Sequence, residues 1–159
     1  YQEIKTGLVP FMDVDVYGRS PLEAASFIVS SAFPDKKLHG SSFLARLSGS
    51  TAEFLSMWAI MFYGTNPFTM DDNVLTLRLQ PALAGYFFKE DATVGFTFLG
   101  SIKVTYHNPE FQDTWKGTVK KYVVVDVNGE KTVIHGDKVT GDVAEAVRSK
   151  SVVTIDAHL

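Results

Sequence analysis

The chain has no cysteine, which excludes disulfides and thiolate metal sites. It has no apolar run approaching the roughly 20 residues that a membrane-spanning helix requires. It lacks an excess of positive charge: 15 Lys and Arg stand against 18 Asp and Glu, for a net charge of −3. A nucleic-acid surface is therefore not expected, because phosphate contacts need clustered Lys and Arg. Low complexity, internal repeats and the composition of disorder are also missing. The opening stretch, YQEIKTGLVPFMDVDVYG, begins without Met and shows neither the basic start nor the apolar core of a signal peptide. The expectation is a piece of a longer cytoplasmic protein. What is present is a composition that is 45% hydrophobic and 13% aromatic over 159 residues. That suffices for one ordinary domain, or for one small domain joined to part of another.

Helical signals occupy the first third. In YGRSPLEAASFIVSSAFP, Ser20 reads as a cap, Pro21 suits the first helical position and Glu23 completes a capping box. Leu22, Ala25, Ile28, Val29 and Ala32 recur at helical spacing until Pro34. A second helix is predicted from Ser50, capped with Glu53. Its face is lined by Phe54, Leu55, Trp58, Met61 and Phe62, and Gly64 ends it. After Asn66-Pro67 the period becomes two. Strands are expected at 74–79, 93–100 and 102–107, followed by a hairpin in KYVVVDVNGEKTVIHG. Its Asn128-Gly129 pair favours a type I′ turn. A short helix over 142–150 then precedes a last strand in VVTIDAHL. The pattern is mainly β with N-terminal helices, the β part being an antiparallel sandwich or jelly roll.

One segment carries most of the chemistry. HGSSFLARLSGSTAEFLSMW (39–58) sets His39, Arg46 and several hydroxyl residues before the predicted helix. The first N–H groups of a helix have no internal partner and the macrodipole makes that end positive, so phosphate or sulfate binds readily there. Arg46 offers a two-pronged grip on phosphate oxygens. The same residues also fit a plainer reading, with Ser50 and Glu53 capping and Arg46 in an ordinary salt bridge. The residues alone leave both open.

GSSFLARLSGSTAEFLSMW, with the preceding DVYG and the later FTFLGSIKVTYHNP, resembles the C-terminal part of the cellobiose phosphorylase family of glycoside phosphorylases. That resemblance implies the end of an (α/α)6 catalytic barrel over residues 1–64 and a C-terminal β-sandwich, jelly-roll-like domain over 65–159. It implies inverting phosphorolysis of a β-linked gluco-oligosaccharide, with inorganic phosphate as co-substrate and no other cofactor. In relatives a His-Gly segment and a Thr-Gly pair hold phosphate. Here His39-Gly40 matches the first, and Ser48, Gly49, Ser50 and Thr51 contain the second. One extra residue, and Phe54 where the pattern has Trp, leave two registers: Ser48 with Gly49, or Ser50 with Thr51. An inverting hydrolase needs a second carboxylate to activate water. A phosphorylase does not, since phosphate is itself the nucleophile. The family's general acid is an Asp in a barrel motif not found in this chain, so the isolated fragment is expected to be inactive and to depend on the rest of its polypeptide. Relatives commonly dimerise, which makes a homodimer a further expectation.

The remaining candidates are weaker. Asp13 and Asp15 would share a side of an extended segment, or form turns and salt bridges. His107-Asn108-Pro109 suggests a ligand cluster, but a strand-terminal His before an Asn-Pro turn is more often a packing and turn feature. His135 and His158 are too scattered in sequence for a metal site. Trp115, in FQDTWKG between strands, is the candidate for an exposed aromatic that stacks on a sugar. Arg46 joins it as a second residue for substrate. The alternative function from another class is a non-catalytic carbohydrate-binding β-sandwich, with Trp115 carrying the affinity.

Overall fold

The computed structural model describes residues 2–7, 9, 13–18, 25–45 and 48–159, with the backbone alone described at residues 2, 4, 25, 26, 45, 48–51 and 54. The chain divides into two compact units, residues 1–56 and 57–159. The described part is mainly β, with three sheets and few helices. None of its helices is long and apolar enough to cross a membrane.

The first unit begins with α1 (Gln2–Gly7) and α2 (Val14–Tyr17). Asp13 caps α2, its carboxylate accepting the N–H groups of Asp15 and Val16 at 3.1 Å each. The two aspartates therefore do not share an extended segment; Asp13 acts as a turn former and Asp15 is helical. The helix predicted from Ser20 to Pro34 is also corrected. Residues 19–24 lie outside the described residues, and Ala25–Ile28 is a strand, β1, paired antiparallel with β2 (Ser42–Ala45). Val29 continues the pairing, donating to Ser41 O at 3.0 Å and accepting from Gly40 N–H at 2.9 Å. The reason is physical. A short apolar run with Phe27, Ile28 and Val29 fits a pleated ribbon as well as a helix, and a cross-strand partner at 42–45 decides between them. Among the described residues, no array of paired barrel helices occurs.

α3 (Ser48–Tyr63) is the long helix. It opens two residues before the Ser50 cap that the sequence suggested, because a run of Ser and Gly suits a cap and a first turn alike. Met61 and Phe62 are buried, whereas Leu55, expected on the same face, is 66% exposed. Gly64 ends the helix as expected, with φ at +86° and its N–H bonded to Ile60 O at 2.9 Å. The other terminal carbonyls are also satisfied. Met61 O accepts from Ala82 N–H, Tyr63 O from Gln80 N–H, and Phe62 O from the Tyr106 hydroxyl, at 2.7, 3.3 and 2.7 Å. All four carbonyls that a helix end leaves unpaired are thus spoken for.

The second unit holds two sheets. One has three strands in the order β3 (Phe68–Asp71), β4 (Val74–Leu77), β9 (Val139–Thr140). The other has five, ordered β5 (Thr93–Phe98), β6 (Ile102–His107), β10 (Val152–His158), β7 (Lys121–Asp126), β8 (Lys131–His135). Ile102, Val104 and Tyr106 alternate into the core from β6, and Val152, Ile155 and Ala157 enter it from β10. α4 (Asp142–Arg148) supplies Ala144 and Val147. The predicted strands, hairpin and short helix are all present. Two details differ. β10 runs parallel to β6, so this sheet is mixed rather than antiparallel throughout; the chain makes the long crossover that a parallel pair requires. The hairpin turn is not type I′ either. Of its residues only Gly129 takes a positive φ, +85°, and Gly129 N–H bonds to Asp126 O at 3.1 Å. Asp126 Oδ1 accepts the N–H groups of Asn128 and Glu130 at 2.8 Å each. That carboxylate rewards a wider turn with Gly129 alone in the left-handed region, and these N–H donors, Glu130's foremost, hold its pKa below the usual value.

Candidate functional site

The residues expected to hold phosphate fall in the first unit. A 3₁₀ turn, Lys36–Leu38, is capped by Asp35, whose carboxylate accepts Lys37 N–H at 3.0 Å. It delivers His39 to the start of the return toward β2. His39 Nε2 lies 2.7 Å from Phe33 O. A carbonyl only accepts, so Nε2 carries the proton and Nδ1 is the ring atom left for a ligand. Gly40 is buried with φ at +84°, and a Cβ there would come within 3.0 Å of a Val9 methyl and 3.2 Å of a Val16 methyl. Its smallness is fixed by packing as well as by backbone. Ser48, Gly49, Ser50 and Thr51 form the first turn of α3, with side chains outside the described set. Arg46 is outside the described residues altogether.

The β unit contains a cavity of about 390 Å³, within the roughly 300–1,000 Å³ of small-molecule sites. Arg78, Gln80, Thr114, Trp115, Thr118 and Asp137 lie on its wall. Trp115, 45% exposed, sits in a 3₁₀ turn, Thr114–Lys116. The turn is held from both sides. Asp113 Oδ1 accepts Gly85 N–H at 3.2 Å, while Asp113 Oδ2 pairs with Lys116 Nζ at 3.1 Å. Both contacts lower the Asp113 pKa, the Gly85 N–H more than Lys116. Thr114 Oγ1 donates to Pro81 O at 2.6 Å and accepts Leu83 N–H at 2.8 Å.

The part of the wall formed by residues 78–79 and 137 depends on Tyr122. Its hydroxyl accepts Leu79 N–H at 3.2 Å and donates to Asp137 O at 3.0 Å, joining the two segments that carry Arg78 and Asp137. Burial pushes the Tyr122 hydroxyl up to about 12, so it remains a neutral donor. Arg78 Nε lies 3.2 Å from Asp137 Oδ2 but without hydrogen-bond alignment. Charge attraction rather than a directed bond holds this half-exposed pair, and such pairs contribute little to stability. Sequence inspection singled out Trp115 but not Arg78, Gln80, Tyr122 or Asp137. Their separation along the chain leaves no motif.

A third cluster emerges where β6 and β10 run parallel and place His158 opposite His107. The two rings stack at 4.5 Å and 12°, and His107 Nε2 lies 2.7 Å from Asp156 Oδ1. Asn108, buried, binds Gln112 O and Gln112 N–H through its amide, at 2.8 and 3.2 Å. The His107-Asn108-Pro109 stretch is therefore a turn and packing feature. Among the described residues, no three His, Cys, Asp or Glu side chains are grouped to hold a metal ion.

Burial, and then the charges of His107 and Lys121, lower the His158 pKa, against a smaller opposite pull from Asp156. The unfolded chain therefore takes up this proton before the folded one does, and stability falls as pH drops below the ordinary value of 6.5. Melting temperatures measured from pH 8 to pH 5 are expected to decline over the lower part of that range, and less steeply for His158→Gln. Equal slopes would remove His158 as the source.

No family model and no curated protein matches this chain.

Proposed function

We propose that the chain is part of a cytoplasmic, inverting glycoside phosphorylase that cleaves β-linked gluco-oligosaccharides with inorganic phosphate and releases a sugar 1-phosphate. In this reading the (α/α)6 catalytic barrel and its general acid belong to the preceding part of the polypeptide. Residues 1–64 complete that domain, and residues 65–159 are its C-terminal β-sandwich. The observation that carries the reading is the run SGSTAEF opening a helix of 16 residues, with His39-Gly40 upstream. The N–H groups of Ser48, Gly49 and Ser50 are among those for which a helix supplies no acceptor. Gly49 brings no side chain to obstruct an anion. Together with the positive end of the macrodipole, this suits a phosphate dianion better than a neutral water nucleophile. It favours Ser48 with Gly49 as the phosphate pair, since they lie nearest the helix start.

The roles follow from charge. Phosphate attacks the anomeric carbon from the face opposite the leaving sugar, while the upstream carboxylic acid protonates the departing oxygen. His39 Nδ1 and the amides at 48–50 hold the phosphate oxygens, so that no second carboxylate is needed to activate water. The test is made on the full-length enzyme. It should release sugar 1-phosphate only when phosphate is supplied. His39→Ala should raise the KM for phosphate by about tenfold or more, the equivalent of one charge-assisted hydrogen bond, with a smaller change for the oligosaccharide. Release of free sugar at the same rate without phosphate would overturn the reading.

A further inference from the structure

We propose that the cavity beside Trp115 in the β unit binds a pyranose ring of a neutral gluco-oligosaccharide, stacked on the indole and hydrogen-bonded by Arg78, Gln80 and Asp137. The choice of glucose units rests on the phosphorylase reading; the choice of a neutral saccharide rests on the cavity itself. A pyranose presents a C–H face and a rim of hydroxyls that both donate and accept. Trp115 offers a broad aromatic surface for the first. For the rim, Arg78 donates, Asp137 accepts, and Gln80 and Thr118 do both.

Charge discriminates among ligands. Arg78 and Asp137 are the charged residues of the lining, and with a 3.2 Å separation they cancel. An anion or a cation gains no net attraction there, while a purely apolar ligand would bury both charges without hydrogen-bond partners. Arg78 Nε is itself buried and its contact with Asp137 is not an aligned hydrogen bond. The two side chains as wholes stay part exposed, at 36% and 46%, so vicinal hydroxyls can meet the outer atoms of the guanidinium and the carboxylate without breaking a directed bond. The walls are set in advance. Tyr122 fixes the backbone at Leu79 and Asp137, and Thr114 fixes Pro81 and Leu83. Little ordering is therefore lost on binding.

Calorimetric titration of the protein with a panel of β-linked gluco-oligosaccharides, in the absence of phosphate, tests the site. Saturable binding is expected for at least one member and should be unchanged by added inorganic phosphate. Trp115→Ala and Asp137→Asn should each weaken it about tenfold or more. Thr118→Val, at an exposed position, should weaken it by a smaller factor, and all three variants should melt close to the parent. No binding to any member, or binding that both Trp115→Ala and Asp137→Asn leave intact, would overturn the site. The two proposals fail separately. An enzyme that makes sugar 1-phosphate but keeps its sugar affinity in Trp115→Ala and Asp137→Asn loses only this site. One that binds through Trp115 but ignores phosphate loses only the phosphorylase reading.

Discussion

Gly85→Ala is expected to be the most damaging single substitution in the β unit, lowering its stability by about 3 kcal/mol or more. A Cβ at this position would stand 1.9 Å from the carbonyl oxygen of Phe111 and 2.8 Å from its carbon. The obstacle is backbone and cannot rotate away. Nor can the loop retreat easily. Phe111 N–H is bonded to Asn108 O at 3.0 Å, the buried Asn108 amide grips Gln112 on both sides, and Asp113 binds the N–H of Gly85 itself. The methyl group must therefore break the Asp113 contact or lift the 108–113 loop, and either movement disturbs the turn that carries Trp115. Thermal unfolding should show a fall in Tm of about 6 °C or more, at ~2–4 °C per kcal/mol. An unchanged Tm would mean that the loop does not rest on Gly85. A destabilised variant that still bound saccharide at full affinity below its melting temperature would separate the loop from the site.

The contrast between what could and could not be read from the amino-acid order has a local cause. The 121–135 hairpin was legible because β-branched residues flank Asn128-Gly129 and a turn of some kind must form there. Its type was not, because the Asp126 carboxylate, rather than the turn dipeptide, selects the wider geometry. The β1 strand carries a helical pattern in the sequence because Ala25–Ile28 is too short for its period to distinguish the two, and its partner lies beyond a loop. Pairing direction is invisible to pattern, so the parallel neighbours β6 and β10, and the His107–His158 stack that follows from them, could not be foreseen. The two candidate sites differ in the same way. Residues 39–51 form a continuous run, so their chemistry can be considered before any coordinates exist. The cavity is assembled from residues 78–81, 114–115, 117–119, 137 and 159, joined by a tyrosine hydroxyl and a threonine hydroxyl. Only Trp115 announced itself, as an aromatic in a polar turn.

Thr114→Val is the second substitution expected to have a large effect, because it changes hydrogen bonding with almost no change of shape. Thr114 is 5% exposed, and its hydroxyl serves two main-chain groups at once, the carbonyl of Pro81 and the N–H of the fully buried Leu83. Valine fills the same space and leaves both groups without this partner. Water does not reach Leu83, so the desolvation of an unpaired N–H is felt in full, about 1–3 kcal/mol for the donor alone. With the carbonyl included, a loss of about 2–3 kcal/mol is expected. The backbone bond from Thr114 N–H to Leu83 O, at 2.9 Å, remains and should keep the unit folded. Thr114→Ser keeps both hydrogen bonds and gives up one methyl group, so it should cost about 1 kcal/mol. Chemical denaturation of the pair settles the matter: a serine variant as unstable as the valine variant would assign the effect to packing. The same 81–83 segment is pinned at Ala82 N–H to the end of α3. Its release in Thr114→Val should therefore loosen the cavity wall at Pro81, and saccharide affinity should fall in Thr114→Val while Thr114→Ser preserves it.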